Sequence, residues 1–478
     1  MLKIIVTLCL VIISTSGYAT PLAEKTTTLE DQIEMAVTIY NNDLALIKDT
    51  RDIRLDSNLN KLAWREVSAK IQSETALLRN LTSPVGFHIQ EQNFDFDLLT
   101  PQKLLEKYTN REISVIRTHP SSGKETKEKA TVLATNGGVV LKFEDRIETG
   151  IPGRLAFPDV PKNLRDKPTL VATFQNAMTG NQKLELSYLT TGLSWQADYV
   201  AELNATDSHL DLNGLVTLTN QSGTAFPDAK LQLVAGDVNR VHRPEARIRR
   251  NLAMSAEMAN TPTMTEEALF EYHLYTLQRP TTLAENQTKQ VALMSTTNIP
   301  IEKEFLLQGT THHFTEPYGE LSKTSKIGVF IEFQNKGEGL GIPLPKGIIR
   351  VYKKDKQGNA QFIGENQIEH TPKNKPIRLK LGNAFDLTAS KKQTDYKKLH
   401  GKTKNTKVFE TAHKITLRNA KDRAVTVTVV EPIPGDWKIL AQSHPHQKTS
   451  SGTAEWAVSI PGKHKISLTY RVRTKYAY

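Results

Sequence analysis

Asp95 and Asp97 flank Phe96, and on a strand, where side chains alternate, both carboxyls would leave the same face. Two carboxylates so placed can share acid and base work in glycoside hydrolysis. More often such a pair is the wet side of a half-buried strand. Ser121 and Lys124 have the Ser-x-x-Lys spacing of a nucleophile and its base, but they lie in a polar turn instead of at a helix start that would hold and activate the hydroxyl. His444 and His446 bracket Pro445, which predicts a turn. Zinc would need further ligands, with His312, His313 and His464 as candidates. The chain has no Gly-x-Ser-x-Gly elbow, no His-Glu-x-x-His helix, no calcium loop and no phosphate-cradling glycine loop, and Asn136-Gly137-Gly138 reads as a hairpin turn. The residues thus nominate no catalytic group beyond the low-ranked Asp95 and Asp97, and no metal or cofactor site.

Positive charge is the more informative chemistry. The chain carries 62 Lys and Arg against 51 Asp and Glu, a formal net charge of +11. Arg243, Arg247, Arg249 and Arg250 fall in a stretch, 240–265, that has no strand period and reads as a flexible basic loop. Lys391, Lys392, Lys397 and Lys398 open a lysine-rich run. These eight residues are the candidate contacts for an anion, although a lysine run is most often a solvated loop or strand edge. In the cytosol such a balance would raise nucleic acid as a partner. However, Lys3, the apolar run Ile4 to Ile13 and the small residues ending at Ala19 have the pattern of a signal peptide cleaved after Ala19. Export to the periplasm or beyond takes nucleic acid out of reach and leaves an envelope glycan, a lipid headgroup or an envelope protein. The single cysteine, Cys9, lies inside that leader, so the exported chain is expected to be free of thiols and disulfides. No later segment has the length and apolarity of a membrane-spanning helix.

The elements that must position these groups are strands. From Val37 onward, short runs of β-branched and aromatic residues alternate with polar ones and are punctuated by Asn, Gly, Asp and Pro. The pattern predicts a mainly β, multidomain chain of stacked antiparallel sandwiches, immunoglobulin- or fibronectin-like, with few short helices. The expected layout is a leader at 1–19, a linker at 20–35, a first sandwich from 36–99 plus 165–205, and a small β-barrel with one helix inserted at 100–164. A central sandwich at 206–300, another at 301–395 and a C-terminal one at 396–478 complete it. Thr100-Pro101 has the cap and first-turn residues of the one clear helix. Trp195, Trp437 and Trp456 fall in strands and are expected in cores. At the C-terminus, Ile466, Leu468, Tyr470, Val472, Tyr476 and Tyr478 alternate with polar residues, the pattern either of a membrane barrel's last strand or of a strand closing a soluble sandwich.

Several segments together resemble one family. EQNFDFDLLTPQKLLEKY (Glu91–Tyr108), LSYLTTGLSWQADYVAEL (Leu186–Leu203), LVAGDVN (Leu233–Asn239), YHLYTLQRPTTLAENQTKQV (Tyr272–Val291), GIPLPKGIIRVY (Gly341–Tyr352) and PIPGDWKI (Pro432–Ile439), with the terminal TAEWAVSIP and SLTYRVR, are similar to exported bacterial proteins carrying domain of unknown function 4139. A related domain occurs in proteins similar to the mucoidy inhibitor, which implies capsule or envelope physiology but names no chemistry and no catalytic residue. The leading expectation is a non-enzymatic cell-envelope protein that scaffolds or binds an anionic glycan or lipid headgroup. Its rivals are a hydrolase of wall or capsule polysaccharide and an outer-membrane-associated β-barrel protein.

Overall fold

The structure is a computed structural model that describes residues 22–161, 164–236, 239, 264–337, 339–400 and 406–477. The leader with Ala19 and the arginines 243, 247, 249 and 250 lie outside the described residues. The described residues are mainly β and form five open sheets stacked as sandwiches, none of which closes into a barrel. No helix among the described residues is long and apolar enough to cross a membrane.

Local chemistry accounts for the turns. Asn42 and Asp43 take positive φ values of 69° and 54°, joining strand Gln32–Tyr40 to its antiparallel neighbour Leu44–Leu55 as the Asn-Asn-Asp triplet predicts. At Gly192 (φ +86°) strand Gly180–Thr190 leaves one sheet and Leu193–Leu203 enters the next. A Cβ there would lie 2.7 Å from the Gln221 carbonyl oxygen, so the crossing needs glycine.

A single apolar core joins three sheets. A four-stranded sheet (24–27, 58–65, 169–176, 88–95), an eight-stranded sheet built around 32–40, 44–55 and 180–190, and a five-stranded sheet (287–300, 209–220, 193–203, 347–354, 360–368) all contribute buried side chains to it. Trp64, Ile47, Leu186, Tyr199 and Val351 belong to this one core, and so do Phe333 and Leu379 from much later in the chain. The expected boundaries near 205 and 300 therefore do not separate cores. Residues 230–234 pair in parallel with 36–40, and 347–353 with 197–203, so distant segments complete each other's sheets. The described part of the expected 20–35 linker, from residue 22 onward, is likewise structured, since Glu24–Thr27 pairs in parallel with Lys61–Trp64.

The insert is a separate unit but no barrel. Its five short strands (147–149, 140–142, 125–134, 112–118, 154–156) form an open sheet. Helix Pro101–Lys107 packs on it through Leu105, within a small core that includes Val115, Val132 and Phe143. Thr100 caps that helix, its hydroxyl accepting from the Lys103 amide at 3.1 Å. With only a handful of apolar residues per strand, the sheet covers one face with a helix and leaves its edges unjoined.

The last third is one sheet of nine strands, in the order 436–442, 465–477, 406–419, 376–400, 320–334, 302–308, 425–432, 453–460, 447–450. Strand Pro376–His400 runs through the boundary expected at 395/396, which is thereby corrected. The sheet folds over so that Ile415, Leu468 and Val472 share a core with Val427, Trp456 and Val458. In Lys465–Ala477 the apolar alternation faces this core, with Leu468, Tyr470 and Val472 buried. The strand is thus an inner one of a sandwich, not the last strand of a membrane barrel.

Candidate functional site

The expected carboxylates are each held by a cation. Asp95 ends strand His88–Asp95 and takes Arg165 at 2.9 Å, while Arg165 also holds Glu24 at 2.8 Å. Asp97 lies beyond the strand and pairs with Lys107 at 2.7 Å; that hydrogen bond lowers its pKa. The two carboxyls thus have different partners, and Phe96 between them is exposed. The histidine pair is also dispersed. His446 bonds Gln442 and lies between the rings of Trp437 and Trp456, each 5.9 Å away, while His444 bonds Ser443. Among the described residues no three His, Cys, Asp or Glu side chains converge as a metal-binding group. A depression beside Leu193, Leu218, Leu283 and Lys289 has no interior space for even a water molecule, so it is not a ligand pocket.

Two polar arrangements in the C-terminal sandwich remain, and the lysine run takes part in both. The first is buried. Lys391, expected as an exposed anion contact, points inward, and its ammonium lies 2.5 Å from the carboxylate of fully buried Glu431. A charge withdrawn from water must be paired, and this pairing takes Lys391 out of the surface set. Burial raises the Glu431 pKa while Lys391 opposes the rise. Around the pair, Phe314, His413, Tyr470 and Trp456 form a ladder of rings with successive centroid separations of 5.2, 5.1 and 4.8 Å. Burial, with Lys391 and His313 nearby, pushes the His413 pKa down to about 3, so its imidazole is neutral at ordinary pH. Gly309 closes the cluster, since a Cβ there would fall 2.5 Å from a Glu431 carboxylate oxygen.

The second arrangement is the outer face of the same sheet. Alternation turns every second residue of Lys465–Ala477 to solvent, which places Lys465, Arg471, Arg473 and Lys475 on that face. Register aligns them with Lys414 and Arg418 of Thr406–Asn419, with Lys392 and Lys397 of Pro376–His400 and with Lys438 of Asp436–Gln442. Against these nine cations, the stretch in which the four strands lie in register presents Asp395, Glu410 and Asp436 on the same face, and Asp386, just before it, pairs with Lys421. Arg471 holds Asp395 at 2.8 Å and Glu410 at 3.0 Å, and Arg473 holds Glu410 at 3.0 Å. On the fifth strand, Glu320 sits opposite Lys392 and Lys326 opposite Thr388. Lys398 is exposed but shares its row with Phe409 and Trp437, on the other face. Of the four expected lysines, then, the structure brings Lys392 and Lys397 together with cations that the sequence reading left unassigned.

Fold and surface define a modular, all-β protein with a polycationic sheet face. The chain belongs to the family described as Domain of unknown function (DUF4139), whose model matches residues 184–478. The match takes in the last third of the chain, including the cationic face, and begins after the insert and the Glu91–Tyr108 segment. A search of curated proteins returns no match.

Proposed function

We propose that this chain is an exported, non-enzymatic protein of the bacterial cell envelope that binds or scaffolds an anionic envelope component, a glycan or a lipid headgroup. The observation that carries this reading is the excess of cations on the outer face of the C-terminal sheet, nine against three where four adjacent strands lie in register. Export directed by the leader-like N-terminus would carry that surface out of the cytosol, where acidic polymers and headgroups are the abundant anions. The arginines 243, 247, 249 and 250 would add to the same attraction. Carboxylate catalysis has less support, because Asp95 and Asp97 are each committed to a cation of the scaffold.

The test is fractionation of a bacterial host expressing the full chain, followed by co-sedimentation of the processed protein with isolated envelopes. Release by osmotic shock, an N-terminus at Thr20, and envelope binding that is lost between about 20 and 500 mM salt are the expected results. Retention in the cytosol with an intact leader, or binding indifferent to salt, overturns the reading.

A further inference from the structure

The cationic face carries its charge in a pattern that strand pairing alone does not call for. Lys392 lies directly opposite Lys414, Arg418 opposite Lys465, and Arg473 opposite Lys438, each pair on hydrogen-bonded neighbouring strands. All six are exposed. Like charges in directly opposed positions repel and destabilise a sheet. Among the described residues only Arg473 of the six has a carboxylate within ion-pair distance, Glu410, which it shares with Arg471. The three pairs thus hold a repulsion that a bound anion would relieve.

Their spacing indicates the form of that anion. On strand Lys465–Ala477, Lys465 and Arg473 mark the first and third pairs, and Thr469, the neighbour of Lys414, marks the second. Along the strand axis successive pairs are therefore four residues apart, or about 13 Å, and the set spans roughly 27 Å, with the second pair displaced by one strand to one side of the first and the third by one strand to the other. A small anion would engage one pair only. A chain with charges repeated along its length would engage all three, releasing counterions at each. Where the four strands lie in register, the aromatic residues Tyr396, Phe409, Trp437, Tyr470 and Tyr476 stand in the inward-facing rows, and the exposed Phe385 falls before that stretch begins at Leu387. The face consequently offers neither a stacking platform for neutral sugars nor the aromatic anchors of a membrane interface.

We propose that this face binds a linear polyanion, a flexible chain bearing repeated phosphate or carboxylate groups, laid along the strands so that each cation pair brackets an anionic group. The inference rests on the anion-binding reading above and specifies its ligand class and its site.

The experiment titrates the purified full chain with sodium polyphosphate, with polygalacturonate and with phosphatidylglycerol vesicles, and repeats this with the triple variant Lys414→Gln, Lys438→Gln, Lys465→Gln, which removes one cation from each pair. Expected are binding of at least one polymer and a loss of at least about tenfold in affinity in the variant. The slope of log Kd against log salt should fall by roughly one unit per cation removed. Which polymer binds distinguishes phosphate from carboxylate chemistry. An unliganded melting temperature for the variant at or above that of the wild type shows that a loss of binding is not a loss of fold. Polymer affinity unchanged in the variant overturns the inference and leaves the broader reading standing. Binding to vesicles but to neither polymer overturns it in favour of a headgroup surface, and binding to none of the three overturns both.

Discussion

The Lys391 ammonium and the Glu431 carboxylate meet at 2.5 Å inside the C-terminal sandwich, tying strand 376–400 to strand 425–432 across the core. Glu431 is sealed from solvent, and 10% of the Lys391 side chain is exposed. Removing one partner leaves the other buried and unpaired, at a cost of about 3–5 kcal/mol. Glu431→Leu should therefore lower stability by that order in denaturant titration. The double variant Lys391→Met, Glu431→Leu should recover most of the loss. Equal destabilisation in the single and double variants would show that packing, not charge, dominates the site.

Gly309 lies against the same carboxylate. Its replacement by Ala puts a methyl 2.5 Å from a Glu431 oxygen, and overpacking of this kind costs about 1–3 kcal/mol. Gly309→Ala in the Glu431→Leu background should cost a different amount than in the wild type, because the atom it meets has gone. Strict additivity in that cycle would exclude the contact.

His413 gives the fold an acid sensitivity with a defined sign. Its folded pKa, about 3, lies below the usual value of 6.5. Between these values the unfolded chain binds a proton that the folded chain does not, so the contribution is present above about pH 6.5 and is lost as the pH falls toward 3. The slope approaches 1.4 kcal/mol per pH unit below pH 6.5. The groups facing the ring, Lys391 and His313, push in the same direction. His413→Phe, which keeps a ring between Phe314 and Tyr470, should flatten the stability curve between pH 6 and 4; an unchanged slope would remove His413 as its source.

The opposed cations predict a gain from charge reversal. Lys414→Glu faces Lys392 with an opposite charge, which should add about 0.2–1 kcal/mol at low ionic strength and little at 1 M salt, where screening reaches about 3 Å. Thermal melts at two salt concentrations test this. A stabilisation that persists at high salt would point to propensity instead of charge.

Much of this was legible in the residues, and the gaps have physical causes. Period-two alternation declared the strands, and Thr100-Pro101 declared the one helix, because both signals are local. In Lys465–Ala477 the apolar half of the alternation fits a lipid-facing row as well as a buried one, and nothing local marks the complementary row of Lys465, Arg471, Arg473 and Lys475 as a binding surface. That surface exists only once register brings Lys414, Arg418 and Lys438 alongside, and register between strands far apart in sequence leaves little trace in composition. For the same reason Lys391 and Lys392 look alike in sequence. A strand turns them to opposite faces, one into a buried ion pair and the other to solvent. The domain boundaries failed because strands completing one sheet come from distant parts of the chain, as with 36–40 and 230–234.

Strand Pro376–His400 contributes Ile377 and Leu379 to the large N-terminal core and Leu387 and Ala389 to the C-terminal one. At the usual rise, 25 residues make a beam on the order of 80 Å, anchored at two stations along its length. A load applied to the cationic end would be borne by covalent backbone into the far body of the molecule, and slackening one anchorage would unsettle the other. Were a polymer held at the cationic end, tension would run along this strand, and the register shift between Asn383 and Thr388, midway between the two stations, is the joint where it would yield first.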